Sequence, residues 1–232
     1  LDTEVLAEAH RRGAKTLGMV SCWDHFDKFY LPYKPDRLLA QCEQVRDFGV
    51  RFQGYQKSAI ELVGYPHFDF FVKKEFIISR ESVLAGLGIP KQSPYMLYIS
   101  GTAYCPDESD IIQEILARAD QGRFEHDIRV VVRPYPGARA RDVYSEREKF
   151  GKFESHPRII FYKNEIWEEL EKSVFFLNIM RHADAIVAVY STAMLEAAVL
   201  DRPLIGIGFD GYETRPLKKS IRRFQMREHF KD

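Results

Sequence analysis

Ala185-Ile186-Val187-Ala188-Val189-Tyr190-Ser191-Thr192-Ala193-Met194-Leu195-Glu196-Ala197-Ala198-Val199-Leu200 reads as five apolar residues, a turn bearing hydroxyls, and a helix. An unbroken apolar run of strand length, with no polar alternation, suits a strand buried on both faces, as in a parallel sheet covered by helices. The same alternation continues on both sides. Leu204 to Ile207 follows as a strand. Upstream lie strands at Tyr95–Ile99, Ile128–Val132 and Arg158–Tyr162, with helices expected near 107–119, 141–150 and 166–181 between them. Strands separated by helices of this length require right-handed crossovers, so the expected class is α/β with a Rossmann-like parallel sheet.

The N-terminal part repeats the pattern less regularly. A helix is expected over Glu4–His10, strands over Thr16–Val20, Arg37–Ala40 and Ile60–Val63, and a helix ending near Phe48-Gly49. The polar, proline-containing stretch Gly88–Pro94 marks the expected boundary. The reading is therefore a partial N-terminal α/β domain over 1–90 and a C-terminal sheet domain over 91–215. A basic helix over 216–232 is expected to pack back through Leu217, Ile221 and Phe224. Its Lys218, Lys219, Arg222, Arg223 and Arg227 leave open a peripheral contact with anionic lipid. The chain lacks an initiator Met and opens in a helix-like stretch, which suggests a piece of something longer.

Composition narrows the function. Lys plus Arg and Asp plus Glu stand at 34 each, so no bulk positive field gathers nucleic acid. Cys22, Cys42 and Cys105 lack C-x-x-C or Cys/His ligand spacing, which speaks against a disulfide framework or structural zinc and for a reducing, cytoplasmic setting. No apolar run approaches the roughly 20 residues that span a bilayer.

Ligands of doubly wound sheets bind at the carboxyl ends of the strands. Three loops there carry unusual chemistry. Tyr190-Ser191-Thr192 places hydroxyls and open amides at a helix start, where the helix dipole favours an anion such as phosphate. The same residues also suit a plain N-cap. Glu196 lies too far along for a capping box with Ser191 or Thr192, and either meets ribose hydroxyls or is simply solvated. Arg133-Pro134-Tyr135-Pro136 offers a planar fork on a stiff backbone, to a phosphate or to a neighbouring helix end. Ser100-Gly101-Thr102 is small enough for a ligand to approach its backbone. In the N-terminal part, Asp24 and His25 after one strand, and His67 and Asp69 after another, are the acid–base candidates. No metal-ligand set is expected.

These motifs resemble the GT-B-type transferases of surface-carbohydrate assembly, especially the CDP-glycerol glycerophosphotransferase-like group. The likeness lies in Ser21-Cys22-Trp23-Asp24, Lys34-Pro35-Asp36-Arg37, Gly64-Tyr65-Pro66-His67-Phe68-Asp69 and Arg133-Pro134-Tyr135-Pro136. It is strongest in Ala183-Asp184-Ala185-Ile186 through Ser191-Thr192, Leu195-Glu196-Ala197 and Arg202-Pro203-Leu204-Ile205. The resemblance implies a GT-B-like pair of Rossmann-like domains, with a nucleotide-linked donor on the C-terminal domain and a carbohydrate or lipid-linked acceptor facing the N-terminal one. Transfer would need no metal or other cofactor and would take place in the cytoplasm or at the inner face of the membrane. It further implies that Ser191 and Thr192 contact donor phosphates, with Arg133 nearby and Glu196 on the donor's sugar. The family usually has His where this chain has Tyr135. Two other readings stay open: a non-hydrolysing nucleotide-sugar 2-epimerase, and a nucleotide-binding module without turnover.

Overall fold

The structure, a computed structural model, describes residues 2–26, 29–101, 108–135, 149–162, 170–189 and 191–207. The chain divides into two compact units, the first running to Phe70 and the second beginning at Phe71.

In the first unit, helix Asp2–Arg11 precedes β1 (Leu17–Met19), and β2 (Arg37–Ala40) leads through helix Glu43–Gln53 to β3 (Ile60–Leu62). The strands are parallel in the order β1-β2-β3, with Gly18 opposite Leu38 and Leu39 opposite Glu61. The middle strand buries Leu38 and Ala40 against Val45 and Phe48 of the helix, with Val20, Phe26, Tyr55 and Ile60 completing the core. The helix stops at Gly54, whose φ of 67° is a left-handed value that glycine adopts without strain, and whose N–H caps Val50 O at 3.2 Å. Asp36 accepts hydrogen bonds from Thr16 N at 2.7 Å and Thr16 Oγ1 at 2.9 Å, tying the approach to β1 to the start of β2.

The second unit holds a parallel sheet of β4 (Tyr95–Ile99), β5 (Arg129–Arg133), β6 (Ile159–Phe161), β7 (Ala185–Val189) and β8 (Leu204–Ile207), in the order β6-β5-β4-β7-β8. All five residues of β4 are buried, as the absence of polar alternation predicts for a central strand. Helix Ser109–Asp120 turns Ile112, Ile115 and Leu116 inward at helical spacing, onto Tyr98, Val130 and Val132. The chain builds outward from β4 through β5 to β6, then returns past β4 to add β7 and β8. The winding direction therefore reverses between β4 and β7, the place where such sheets open a crevice at their carboxyl ends.

Strands expected at 37–40, 95–99, 185–189 and 204–207 form over those residues. Helix Arg80–Leu87 was not anticipated. Ser79 Oγ caps it by accepting from Ser82 N at 3.2 Å, and Gly88 ends it in a left-handed conformation.

The expected boundary at 90 does not coincide with the structural division at Phe70–Phe71, because residues 71–90 pack within the second unit. Fully buried Asn178, on helix Leu170–His182, accepts from Ile78 N at 2.9 Å and donates to Phe76 O at 2.6 Å. Arg80 reaches Asp184 Oδ2 at 2.8 Å, and the same oxygen accepts from Tyr95 N at 2.8 Å. Gly86 lies so close to Phe175 that a Cβ there would fall 2.6 Å from the ring. Of the helix expected over 141–150, only Lys149 and Phe150 are described. The basic segment 216–232 lies outside the described residues.

Candidate functional site

Parallel pairing brings three of the predicted loops to one edge. Ile99 is level with Arg133 on one side and with Ala188 on the other, so Ser100-Gly101, Arg133-Pro134-Tyr135 and Ser191-Thr192 leave neighbouring strands together. Ser100 N donates to Arg133 O at 3.0 Å, extending the pairing into the loops. Thr102 and Tyr190 lie outside the described residues.

Ser191 is an N-cap. Its backbone is extended, at φ −156° and ψ 156°, and its Oγ accepts from Ala193 N at 3.3 Å at the head of helix Thr192–Val199. Ser191 O also accepts from Met194 N at 3.0 Å. Ser191, Thr192 and Glu196 are all half-buried. The positive end of the helix dipole thus faces the winding reversal, with a hydroxyl beside it. Arg133 is half-buried, with its guanidinium carbon 4.9 Å from the centre of the Phe176 ring. A cation over a ring face is attracted by the ring quadrupole, which helps to hold the guanidinium there. Tyr135 is also half-buried, two residues beyond the strand end.

The Ser100-Gly101 loop already holds an anion of the protein's own. Glu108, 4% exposed, receives Ser100 Oγ at 2.7 Å and Lys149 Nζ at 2.6 Å on one carboxylate oxygen. Tyr98 OH at 2.9 Å and Gly101 N at 2.8 Å donate to the other. Lys149 is likewise 4% exposed, and its Nζ also donates to Gly101 O at 3.3 Å. Burial pushes the Glu108 carboxyl above its ordinary value, while Lys149, Ser100 and the Gly101 amide pull it back. Ser100 Oγ and Gly101 N therefore both donate to Glu108. Glu108 and Lys149 gave no signal in the sequence: they are 41 positions apart and look like ordinary surface charges.

In the first unit, Cys22, Asp24 and His25 follow β1, and their ligand-type atoms all lie within 4.8 Å of one another. Asp24 is buried at 8% exposure, while Cys22 and His25 are half-buried. His67 is exposed on the loop after β3, its ring 5.9 Å from that of Tyr65. Tyr65 OH donates to Ser21 O at 3.1 Å, so the loops of β1 and β3 meet across the end of β2. Asp69 is exposed at the start of the short helix Asp69–Val72. Sequence spacing predicts no ligand set here, because Cys-x-Asp-His matches no common metal pattern. The tight turn after β1 brings the three side chains together.

No family model matches the sequence, and no curated protein matches it. Solved structures do share its fold. The chain is similar to the UDP-GlcNAc 2-epimerase from Methanocaldococcus jannaschii, at 15% identity and a TM-score of 0.58, over 91% of this chain and 59% of that one. The same epimerase in complex with UDP-GlcNAc and UDP matches at 17% identity and a TM-score of 0.55, over 75% of this chain and 46% of that one. The UDP-N-acetylglucosamine 2-epimerase from Rickettsia bellii matches at 13% identity and a TM-score of 0.53, over 94% and 60%. The chain thus has a GT-B-like, Rossmann-like α/β fold and spans about three fifths, or less, of the length of these proteins.

Proposed function

We propose that the chain belongs to a nucleotide-sugar-using enzyme and that its second unit holds the nucleotide-linked donor at the carboxyl ends of β4, β5 and β7. The observation that carries this reading is that Arg133, held over the Phe176 ring, and the Ser191-capped helix start flank the carboxyl end of β4 at the winding reversal of the sheet. An oriented guanidinium and a helix N-terminus are preorganised positive charge, which stabilises a phosphate as negative charge builds on it in the transition state. This chemistry calls for no metal at the donor phosphates. Glu196, one turn along the helix, is in reach of a sugar hydroxyl in this reading.

The reaction we favour is transfer of a sugar or glycerol-phosphate unit to a carbohydrate or lipid-linked acceptor. Asp24, His25 and His67 of the first unit are the candidates for the base that takes the acceptor proton. The second reading is 2-epimerisation, favoured by the fold neighbours, one of which was solved with UDP-GlcNAc and UDP. Epimerisation needs carboxylates and a histidine around the reacting carbon. Among the described residues of the second unit, His126, His156 and His182 all precede their strands, at the edge opposite the donor loops.

Thermal unfolding with UDP, CDP, GDP and their sugar or glycerol conjugates tests the donor site. A ligand at 100 times its Kd adds about 2.7 kcal/mol, and Arg133→Ala and Glu196→Ala are expected to reduce that gain. Absence of stabilisation by every nucleotide would defeat the proposal. Product analysis then separates the reactions, since an isomerised but untransferred sugar establishes epimerisation.

A further inference from the structure

The segment after β1 is held more firmly than a surface loop needs to be. Tyr65 OH donates to Ser21 O at 3.1 Å, and Gln41 Nε2 donates to Val20 O. Beyond His25, Phe26 is buried at 2% exposure, and Gln53 Nε2 donates to Phe26 O at 3.1 Å and Phe29 O at 2.8 Å. Gln53 Oε1 accepts from Leu31 N at 2.9 Å. Residues 20–26 and 29–31 are thereby tied to Gln41 after β2, to Tyr65 after β3 and to Gln53 at the end of the Glu43–Gln53 helix. Between these ties stand a thiol, a carboxylate and an imidazole, all within 4.8 Å of one another.

These three donors differ in kind, as the ligands of zinc do, and sulfur with imidazole nitrogen selects zinc over magnesium or calcium. A tetrahedral ion with bonds of about 2.0–2.3 Å separates its ligand atoms by roughly 3.6 Å. The three ligand atoms, within 4.8 Å of one another, lie near that spacing. A neutral oxygen is also held on this edge: Gln41, 8% exposed, has its Oε1 buried with no hydrogen-bond partner among the described residues. A buried carbonyl oxygen left unsatisfied is costly unless something supplies a positive partner.

We propose that Cys22, Asp24 and His25 form a binding site for a thiophilic divalent cation of the zinc type, with Gln41 Oε1 on the same edge as an acceptor for a water held by the ion. Binding converts the Cys22 thiol to a thiolate and releases its proton to solvent. Three protein ligands leave a coordination position for water or for a hydroxyl group, so the site is built to orient or acidify an oxygen. With Asp24 and His25 committed to the ion, His67 remains as the acid–base candidate of this edge.

Cobalt(II) is the probe, added to the full chain. One equivalent is expected to bind with a thiolate-to-cobalt charge-transfer band that disappears in Cys22→Ser and persists in Cys42→Ser and Cys105→Ser. His25→Ala, which removes a direct ligand, is expected to weaken binding by more than the roughly 10–100-fold that loss of an outer-shell partner costs. Absence of the band, or its survival in Cys22→Ser, overturns the proposal. If Cys22→Ser fails to fold by circular dichroism, the wild-type chain decides. Zinc must then slow alkylation of Cys22, measured by peptide mass spectrometry, without slowing that of Cys42, and equal rates with and without zinc overturn the site.

Discussion

At the carboxyl edge of the five-stranded sheet, polar groups largely satisfy one another. Glu108 collects four donors, Lys149 is buried with it, and Ser191 is occupied in capping a helix. At the matching edge of the three-stranded sheet, the segment is pinned through its backbone, while Cys22, Asp24 and His25 are grouped side by side and His67 faces solvent. Beneath them, the middle strand β4 of the larger sheet is buried along its whole length, whereas the edge strand β1 of the smaller sheet leaves Leu17 63% and Met19 38% exposed. The contrast teaches that the second unit shapes its loop through a buried charge cluster, whereas the first ties its segment down through backbone carbonyls.

The largest test of that contrast is Lys149→Ala. Removing one partner of a buried pair strands the other, so about 3–5 kcal/mol of stability should be lost in denaturant titration. Arg118→Ala, which removes the exposed pair with Glu114, should cost about 0.5 kcal/mol or less. Equal losses would show that the Glu108 cluster holds nothing in place.

The sheets themselves come next. Leu97→Ala, at a fully buried position in β4, should cost about 2–5 kcal/mol. Leu62→Ala, 37% exposed on β3, should stay near 0.5 kcal/mol. A large loss at Leu62 would mean that the outer strands of the smaller sheet are covered after all.

Ser191 separates capping from binding. Ser191→Ala should lose about 1 kcal/mol of stability, while Ser191→Gly should lose only a few tenths. If nucleotide affinity falls in Ser191→Gly as much as in Ser191→Ala, the hydroxyl meets the ligand directly. Unchanged affinity in both confines it to the helix end.

The smallest effect is a pH response in the second unit. Burial holds the His182 imidazole below its ordinary value of 6.5, and Arg80, Arg181 and Arg202 add to this, while its bond to Ile78 O works the other way. A base held neutral in the fold contributes stability that is present above its ordinary value and lost as pH falls below it. The denaturation midpoint of the wild type should therefore drop between pH of about 7 and 5.5, more than that of His182→Gln. Parallel profiles would remove His182 as the cause.

Much of the fold was legible because it is written in local pattern. Unbroken apolar runs such as 95–99 and 185–189 mark central strands by their composition, and hydroxyls before Ala193 mark a helix start. The Arg80–Leu87 helix has end signals in Ser79 and Gly88, but its weak amphipathic pattern left it unread. That it packs with the second unit was not legible, because the ties through Asn178 and Asp184 span about a hundred residues.

By itself, then, the sequence determined the alternation of strands and helices, the parallel sheet and the loops worth inspecting, since periodicity and end signals act between near neighbours in the chain. Only the tertiary structure decided which charges lose their water and which donors converge. Glu108 met Lys149 across 41 positions, and the turn after β1 drew Cys22, Asp24 and His25 into one cluster. Desolvation and charge pairing depend on distance in space and on burial, and neither quantity is carried by the order of residues.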